Sequence, residues 1–207
     1  MSQDPGNAPL VVAVTGASGA LYAVRLLEQL AAARRAVWLI VSSHGWRLLE
    51  MEAGIADPPA LRARVGSMAW DASVTIFDDN NRGAAPASGS ARSSGMIICP
   101  CSMGTLSAVA AGSSRSLVER SADVVLKERR KLVLVPRETP LSRVHIENML
   151  RVTDAGAIVL PAAPGFYHRP RQIEDLVDFV VARLLDQFGV EHQLGQRWSG
   201  GAQSETK

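Results

Sequence analysis

Short apolar runs rich in β-branched residues recur along the chain and stop at glycine, serine or proline. Leu10-Val11-Val12-Ala13-Val14 is the first, and Val37 to Val41 is the second. Runs of this kind predict strands covered on both faces, as in a parallel sheet, because neither face has to meet water. Between them the apolar positions change to three-four spacing at Leu21, Val24, Leu27 and Leu30/Ala31, which predicts a helix. Another helix, carrying Leu48, Leu49 and Met51, follows the second strand. Strand–helix–strand–helix opens a βαβ series, and right-handed crossovers turn it into a doubly wound sheet. Residues 96–99, 132–135 and 157–160 supply three further buried strands, and 74–77 a weaker one. The last helix is the clearest element: Ile173, Leu176, Val177, Val180, Val181, Leu184, Leu185 and Phe188 form one apolar stripe. Arg183 borders that stripe, so it can bury its stem and still extend its charge into a cleft.

The segment 54–94 has no clean period. Within it, 83–95 is rich in Gly, Ala, Ser and Pro and reads as a long mobile loop. Residues 1–9 read as a frayed tail and 196–207 as a polar C-terminal tail that holds Trp198. A length of 207 residues and 22.1 kDa suits one core and one α/β domain. The 22 Lys and Arg against 20 Asp and Glu leave a net charge of +2, which gives no electrostatic case for nucleic acid or a membrane surface. The uncharged stretch between Arg92 and Arg115 is broken by Pro100 and glycines, so a strand, a loop and a helix start explain it better than a membrane span. The opening residues lack the basic and apolar parts of a signal peptide. Two cysteines, in Cys99-Pro100-Cys101, make no disulfide framework. A cytoplasmic protein is expected.

Ligands of an open parallel sheet bind beyond the carboxyl ends of its strands, so the residues after each strand carry the candidate chemistry. Gly16-Ala17-Ser18-Gly19, Ser42-Ser43 and Cys101-Ser102-Met103-Gly104-Thr105 follow three of the strands with small and hydroxyl groups. Arg137-Glu138-Thr139 and Pro164-Gly165-Phe166-Tyr167-His168-Arg169 follow two others with charged and aromatic ones. Glycine lets backbone approach a ligand, and helix-start N–H groups attract phosphate. A short-chain dehydrogenase fails two tests. Ser42-Ser43 stands where a ribose-binding carboxylate belongs, and neither Tyr22 nor Tyr167 has a Lys four residues on. From Arg115 to Arg137 there are seven cations against three anions. Most charge runs are solvated helix faces, but Arg137 follows a buried strand, where an anionic ligand would use it. The four histidines show no metal-ligand spacing, and no Gly-x-Ser-x-Gly elbow anchors a hydrolase triad.

Five blocks resemble the UbiX-type flavin prenyltransferases. They are Gly16-Ala17-Ser18-Gly19-Ala20 with Tyr22 and Arg25, Pro100 to Leu106, Ala122 to Arg129, Arg137 to Leu141, and Pro164 to Pro170. They run in order over nearly the whole chain. The resemblance implies a flavodoxin-like or Rossmann-like three-layer protein, a homo-oligomer such as a dodecamer, that binds FMN and needs no metal. It would join a dimethylallyl group from dimethylallyl phosphate to N5 and C6 of reduced FMN, and a UbiD-type decarboxylase would receive the prenylated FMN. By the same resemblance Gly16, Ala17, Ser18, Ser42, Ser102, Met103, Gly104, Thr105 and Arg137 hold FMN. Tyr167 and Arg183 bind the prenyl phosphate with Lys127 and Arg120 beside it, and Trp198 lies near the prenyl group. Glu138 exchanges protons, Ser18 relays near N5, and Glu52 reaches into a neighbouring subunit's site. Some family members carry Lys at the position of Gly104, so contacts there are expected from backbone alone.

Two rivals share the flavin. A phosphopantothenoylcysteine decarboxylase-type enzyme would show a Pro-x-Met-Asn block, where this chain has Pro161-Ala162-Ala163-Pro164, and a catalytic His near the first helix, for which His44 is the nearest candidate. A non-enzymatic FMN carrier would have no use for Lys127, Glu138 and Arg183.

Overall fold

The computed structural model describes residues 8–195. Six strands form one fully parallel sheet: β1 Leu10–Val14, β2 Val37–Val41, β3 Val74–Asp78, β4 Gly95–Cys101, β5 Lys131–Pro136 and β6 Ile158–Val159. Their order is β3-β2-β1-β4-β5-β6, so the direction of winding reverses between β1 and β4. In a doubly wound sheet that reversal opens a crevice at the carboxyl ends.

Alternate residues of each strand feed two cores. Leu10, Val12 and Val14 of β1 pack with α1 (Ala20–Ala32) and α8 (Ile173–Gln187), and with Leu49, Leu61 and Trp70 from α2 (Ser43–Ala53), α3 (Pro58–Val65) and α4 (Ser67–Ser73). Val11 and Ala13 pack on the other face with α5 (Met103–Ala110), α6 (Leu117–Lys127) and α7 (Arg143–Asp154). The stripe on α8 is buried at Val177, Val180, Val181, Leu184 and Leu185, and each such side chain contributes about 1.5–3 kcal/mol. The three-layer doubly wound fold expected from the apolar runs is what the chain adopts.

The elements differ from expectation in places, each for a physical reason. The strand expected at 96–99 runs on to Cys101, past Pro100, with a register shift between Ile98 and Cys101. Proline lacks the N–H that a ladder uses, so the sequence stops there too early. The strand expected at 157–160 shrinks to Ile158–Val159, at the edge of the sheet. The segment 54–94 holds α3 and α4. Asp57 caps α3 by accepting from Ala60 N at 2.8 Å, with Pro58 in its first turn. The stretch 83–95 contains a 3₁₀ turn at Ala85–Ala87, and Arg130 binds the carbonyls of Gly89 and Ala91 and the hydroxyl of Ser93. Among the described residues no helix is long and apolar enough to cross a membrane. Trp198 lies outside the described residues.

Candidate active site

Four strand ends build one cleft at the crevice. Its floor is Thr15, buried just beyond β1. Its hydroxyl donates to Pro100 O at 2.9 Å and accepts Ser102 N at 2.9 Å, which fastens the end of β1 to the end of β4. Gly16 comes next, and a Cβ there would stand 2.5 Å from the Cβ of His44, so only glycine lets the first turn of α2 close against it.

Three helices begin around this floor, each with a serine as its cap. Ser42 accepts from Gly45 N at 3.0 Å, Ser102 from Thr105 N at 3.2 Å, and Ser116 from Glu119 N at 3.4 Å. All three serines line a cavity of about 350 Å³ together with Thr15, Gly16 and Thr105. The first-turn N–H groups of Ser43 and His44 in α2 and of Met103 and Gly104 in α5 face this place with the positive ends of their helix dipoles, which favours an anion, whereas the first turn of α6 is already taken by Asp79 and Ser116. Ala17 and Met103 are buried beside the cavity lining. Gly104 is open: a Cβ there finds nothing nearer than Ser102 Oγ at 3.9 Å.

Beside the cavity a second cluster forms around Glu52, in the last turn of α2. Its Oε2 accepts the N–H of Gly19 and of Ala20, both at 2.8 Å, at the head of α1. Burial opposes ionisation of this carboxyl. The Gly19 N–H, the Ser18 hydroxyl, the Ala20 N–H and the charge of Arg137 outweigh it and hold the group below the usual carboxylate range. Arg137, just past β5, donates from Nε to Ser18 O at 3.1 Å. Ser18, Glu52 and Arg137 therefore act as one unit. Glu52 serves the turn of its own chain, whereas the resemblance sends it into a neighbour's site. Glu138 is exposed beside Arg137, its Oε1 accepting from Thr139 N at 3.2 Å. Tyr167, past β6, is 60% exposed and stands edge-on to Phe179 and His168 at 5.7 Å each.

The remaining expected cations are not gathered here within one chain. Arg120, one turn into α6, pairs with Asp123 at 2.7 Å. Lys127 pairs with Glu128 at 2.6 Å at the far end of α6, about 16 Å from the Ser116 cap at 1.5 Å per residue. Arg183 pairs with Asp186 at 3.3 Å. Asp186 borders a cavity with Arg35, Ser94 and Lys131, at the amino ends of the strands. Lys127 and Arg183 thus sit at the end of the sheet opposite Ser18 and Arg137. No spacing argument could reveal this, because it depends on the direction in which α6 and α8 run.

The cavity also brings in Thr15, Asp79 and Glu119, which the sequence does not single out for a site, together with His44, expected only under the decarboxylase alternative, and Arg115, expected only as the start of the basic run. Asp79 follows β3 and caps α6 from a distance, its carbonyl accepting Leu117 N at 2.7 Å and its carboxylate Val118 N at 2.9 Å. Its position one residue past a strand end was the available signal, but that strand was read only weakly. Among the described residues no group of three His, Cys, Asp or Glu could hold a metal ion.

The flavoprotein family profile matches residues 1–185. The flavin prenyltransferase UbiX of Pseudomonas aeruginosa is 48% identical over 198 residues, covering 93% of this chain and 95% of that one. The solved structure of AnUbiX (PadA1) in complex with FMN and dimethylallyl pyrophosphate superposes with a TM-score of 0.86 at 41% identity, over 94% of this chain and 98% of that one. A dodecameric FMN-dependent UbiX-like decarboxylase from Escherichia coli O157:H7 gives 0.85 at 42% identity, over 93% and 100%.

Proposed function

The chain belongs to the UbiX-type flavin prenyltransferases within the flavoproteins, and from that membership and the cleft we propose that it transfers a dimethylallyl group from dimethylallyl phosphate to N5 and C6 of reduced FMN. The observation that carries this reading is the meeting of three serine-capped helix starts with the Ser18–Glu52–Arg137 unit at one crevice. FMN fits that arrangement at both ends. Its phosphate suits the N–H groups that follow Ser42 and Ser102, with the hydroxyls of Ser116 and Thr105 as further donors. Gly16 and the backbone of Ala17, Met103 and Gly104 leave a flat wall for the ribityl chain and the ring. When bound, reduced FMN supplies the two ring positions that take the prenyl carbons.

The chain's own groups do the rest. An allylic phosphate leaves with both electrons of its C–O bond, so negative charge builds on the phosphate oxygens. Lys127, Arg120 and Arg183 meet that charge, each well-placed donor lowering the barrier by roughly 3 kcal/mol. Tyr167 offers an aromatic face to the positive allyl carbon and helps exclude water. The ionised Glu52 accepts the Ser18 hydroxyl, which leaves the Ser18 oxygen free to take a proton at N5. Glu138, at the rim, gives a proton to the prenyl double bond and takes back the one that leaves C6, so the second carbon bond forms with no net change in protons. No metal ion is required, because fixed cations occupy the role a divalent ion plays elsewhere.

Lys127 and Arg183 lie at the opposite end of the sheet, so this reading makes the working site a composite of several copies of the chain. An exposed apolar surface on and beside α7, formed by Leu141, Val144, Ile146 and Leu150, supports such assembly. The assembly is a homo-oligomer, with the dodecamer of the Escherichia coli neighbour as its pattern. It works in the cytoplasm and passes prenylated FMN to a UbiD-type decarboxylase.

Incubating the protein anaerobically with reduced FMN, dimethylallyl phosphate and a chelator, then weighing the flavin, tests the proposal. A flavin heavier by one prenyl group is expected. An unchanged flavin leaves a carrier, and activity that needs added magnesium overturns the metal-free mechanism.

A further inference from the structure

We infer that Arg115 is the residue through which this cleft selects a phosphorylated flavin, closing over the phosphate from the α6 side. This deepens the reading of the cleft as an FMN site and rests on it.

Arg115 lines the cavity together with Ser42, Ser102, Thr105 and Ser116. It is held there by Glu119, which is only 8% exposed. Glu119 Oε2 accepts the Arg115 backbone N–H at 2.8 Å and Nε at 3.2 Å, and Oε1 accepts Nη2 at 2.8 Å. Both carboxylate oxygens are thus occupied and the buried charge is matched. A guanidinium carries five N–H donors in a planar fork. Two face Glu119, and the other three lie on the outer part of a side chain that is 73% exposed. The fork is therefore anchored on one edge and open on the other, the geometry that takes phosphate oxygens in pairs.

The charges around the cavity give this fork its weight. Among the described residues lining it, Arg115 carries the permanent positive charge, while Asp79 and Glu119 are acids. Helix-start N–H groups already lean toward an anion, and serine hydroxyls serve neutral and anionic oxygens alike, so a full positive charge on the lining adds to that preference. Arg115 offsets one of the two acids, and without it both Asp79 and Glu119 would face a phosphate dianion with no side-chain cation to oppose them. Arg115 thus supplies the side-chain charge in the discrimination between FMN and riboflavin.

The test is flavin binding, read by fluorescence quenching, with FMN and riboflavin as probes at low and high salt. Wild-type protein should bind FMN more tightly than riboflavin, with an affinity that falls as salt rises. Arg115→Ala should weaken FMN roughly tenfold, leave riboflavin unchanged and flatten the salt dependence. Arg115→Lys, which keeps the charge and loses the fork, should fall between. Melting curves of both variants report whether Glu119 tolerates the loss of its partner. Arg115→Ala that keeps the wild-type preference overturns the inference, and so does equal loss of both flavins, which marks a structural effect. Wild-type protein that binds neither flavin overturns the FMN reading itself and the inference with it.

Discussion

Glu52, in the last turn of α2, accepts the backbone N–H of Gly19, at the head of α1, at 2.8 Å across a sequence separation of 33 residues. Helix α1 has no side-chain cap of its own, because its cap position is a glycine at φ 124°. The carboxylate therefore does for α1 what a serine does for α2 and α5. It holds the glycine turn shut and at the same time holds the Ser18 hydroxyl.

That dual role makes stability depend on pH in a definite direction. The carboxyl of Glu52 is held below its ordinary value of 4.5. A depressed folded value contributes stability above the unfolded value and loses it as pH falls through the folded one. Wild-type protein should thus lose, below about pH 4.5, a component of stability that Glu52→Gln lacks. Melting temperatures of the two proteins should differ at pH 7 and converge in acid.

Two glycines in the cleft should respond oppositely to alanine. Gly16→Ala places a methyl 2.5 Å from the His44 Cβ, so α2 must shift. A cost of about 1–3 kcal/mol is expected, with weaker FMN binding. Gly104→Ala meets nothing within 3.8 Å, its nearest atom being Ser102 Oγ at 3.9 Å, and should leave melting temperature and FMN affinity near wild type. Calorimetry and flavin titration distinguish the pair.

Glu138→Gln should bind FMN as wild type does and lose at least about a hundredfold in turnover, the usual reach of one proton-transfer group. Flavin titration and single-turnover mass analysis check both halves. Equal turnover would remove its acid/base role.

Composite sites predict rescue between inactive proteins. Lys127→Ala and Glu138→Gln should each be impaired, yet oligomers assembled from a mixture of the two should regain activity, because some sites then draw an intact residue from each parent. Prenylated flavin formed by the mixed oligomer, against that formed by each parent alone, is the measurement. No rescue would mean that both residues serve one site from the same chain.

The sheet was legible because a strand buried on both faces leaves an unbroken apolar run, as in Leu10–Val14, where all five residues are buried. Legibility failed where that logic does. Pro100 breaks the ladder without ending β4, and α3 and α4 are short helices with few buried residues, Leu61 in α3 and Trp70 and Ser73 in α4. In the cleft, the residues just past strand ends were readable from topology alone, as with Ser42, Ser102 and Arg137. Asp79 has the same kind of place but follows β3, whose half-exposed residues give a weak apolar run, and Arg115 enters the cleft only because α6 is capped by Asp79, 39 positions before Val118. The reverse holds for Lys127 and Arg183: their chemistry fits the resemblance, but their own helices carry them to the other end of the sheet.

The hydroxyl of Thr15 joins β1 to β4 beyond the last ladder pair, Ala13 and Ile98, and doubles there the link that its own backbone N–H makes to Pro100 O at 3.2 Å. Buried and satisfied on both sides, it sets the spacing of the two cleft walls during folding and before any ligand arrives. The entropy of shaping the crevice is thus lost once, in making the protein, and an incoming flavin meets a preformed slot instead of having to mould one.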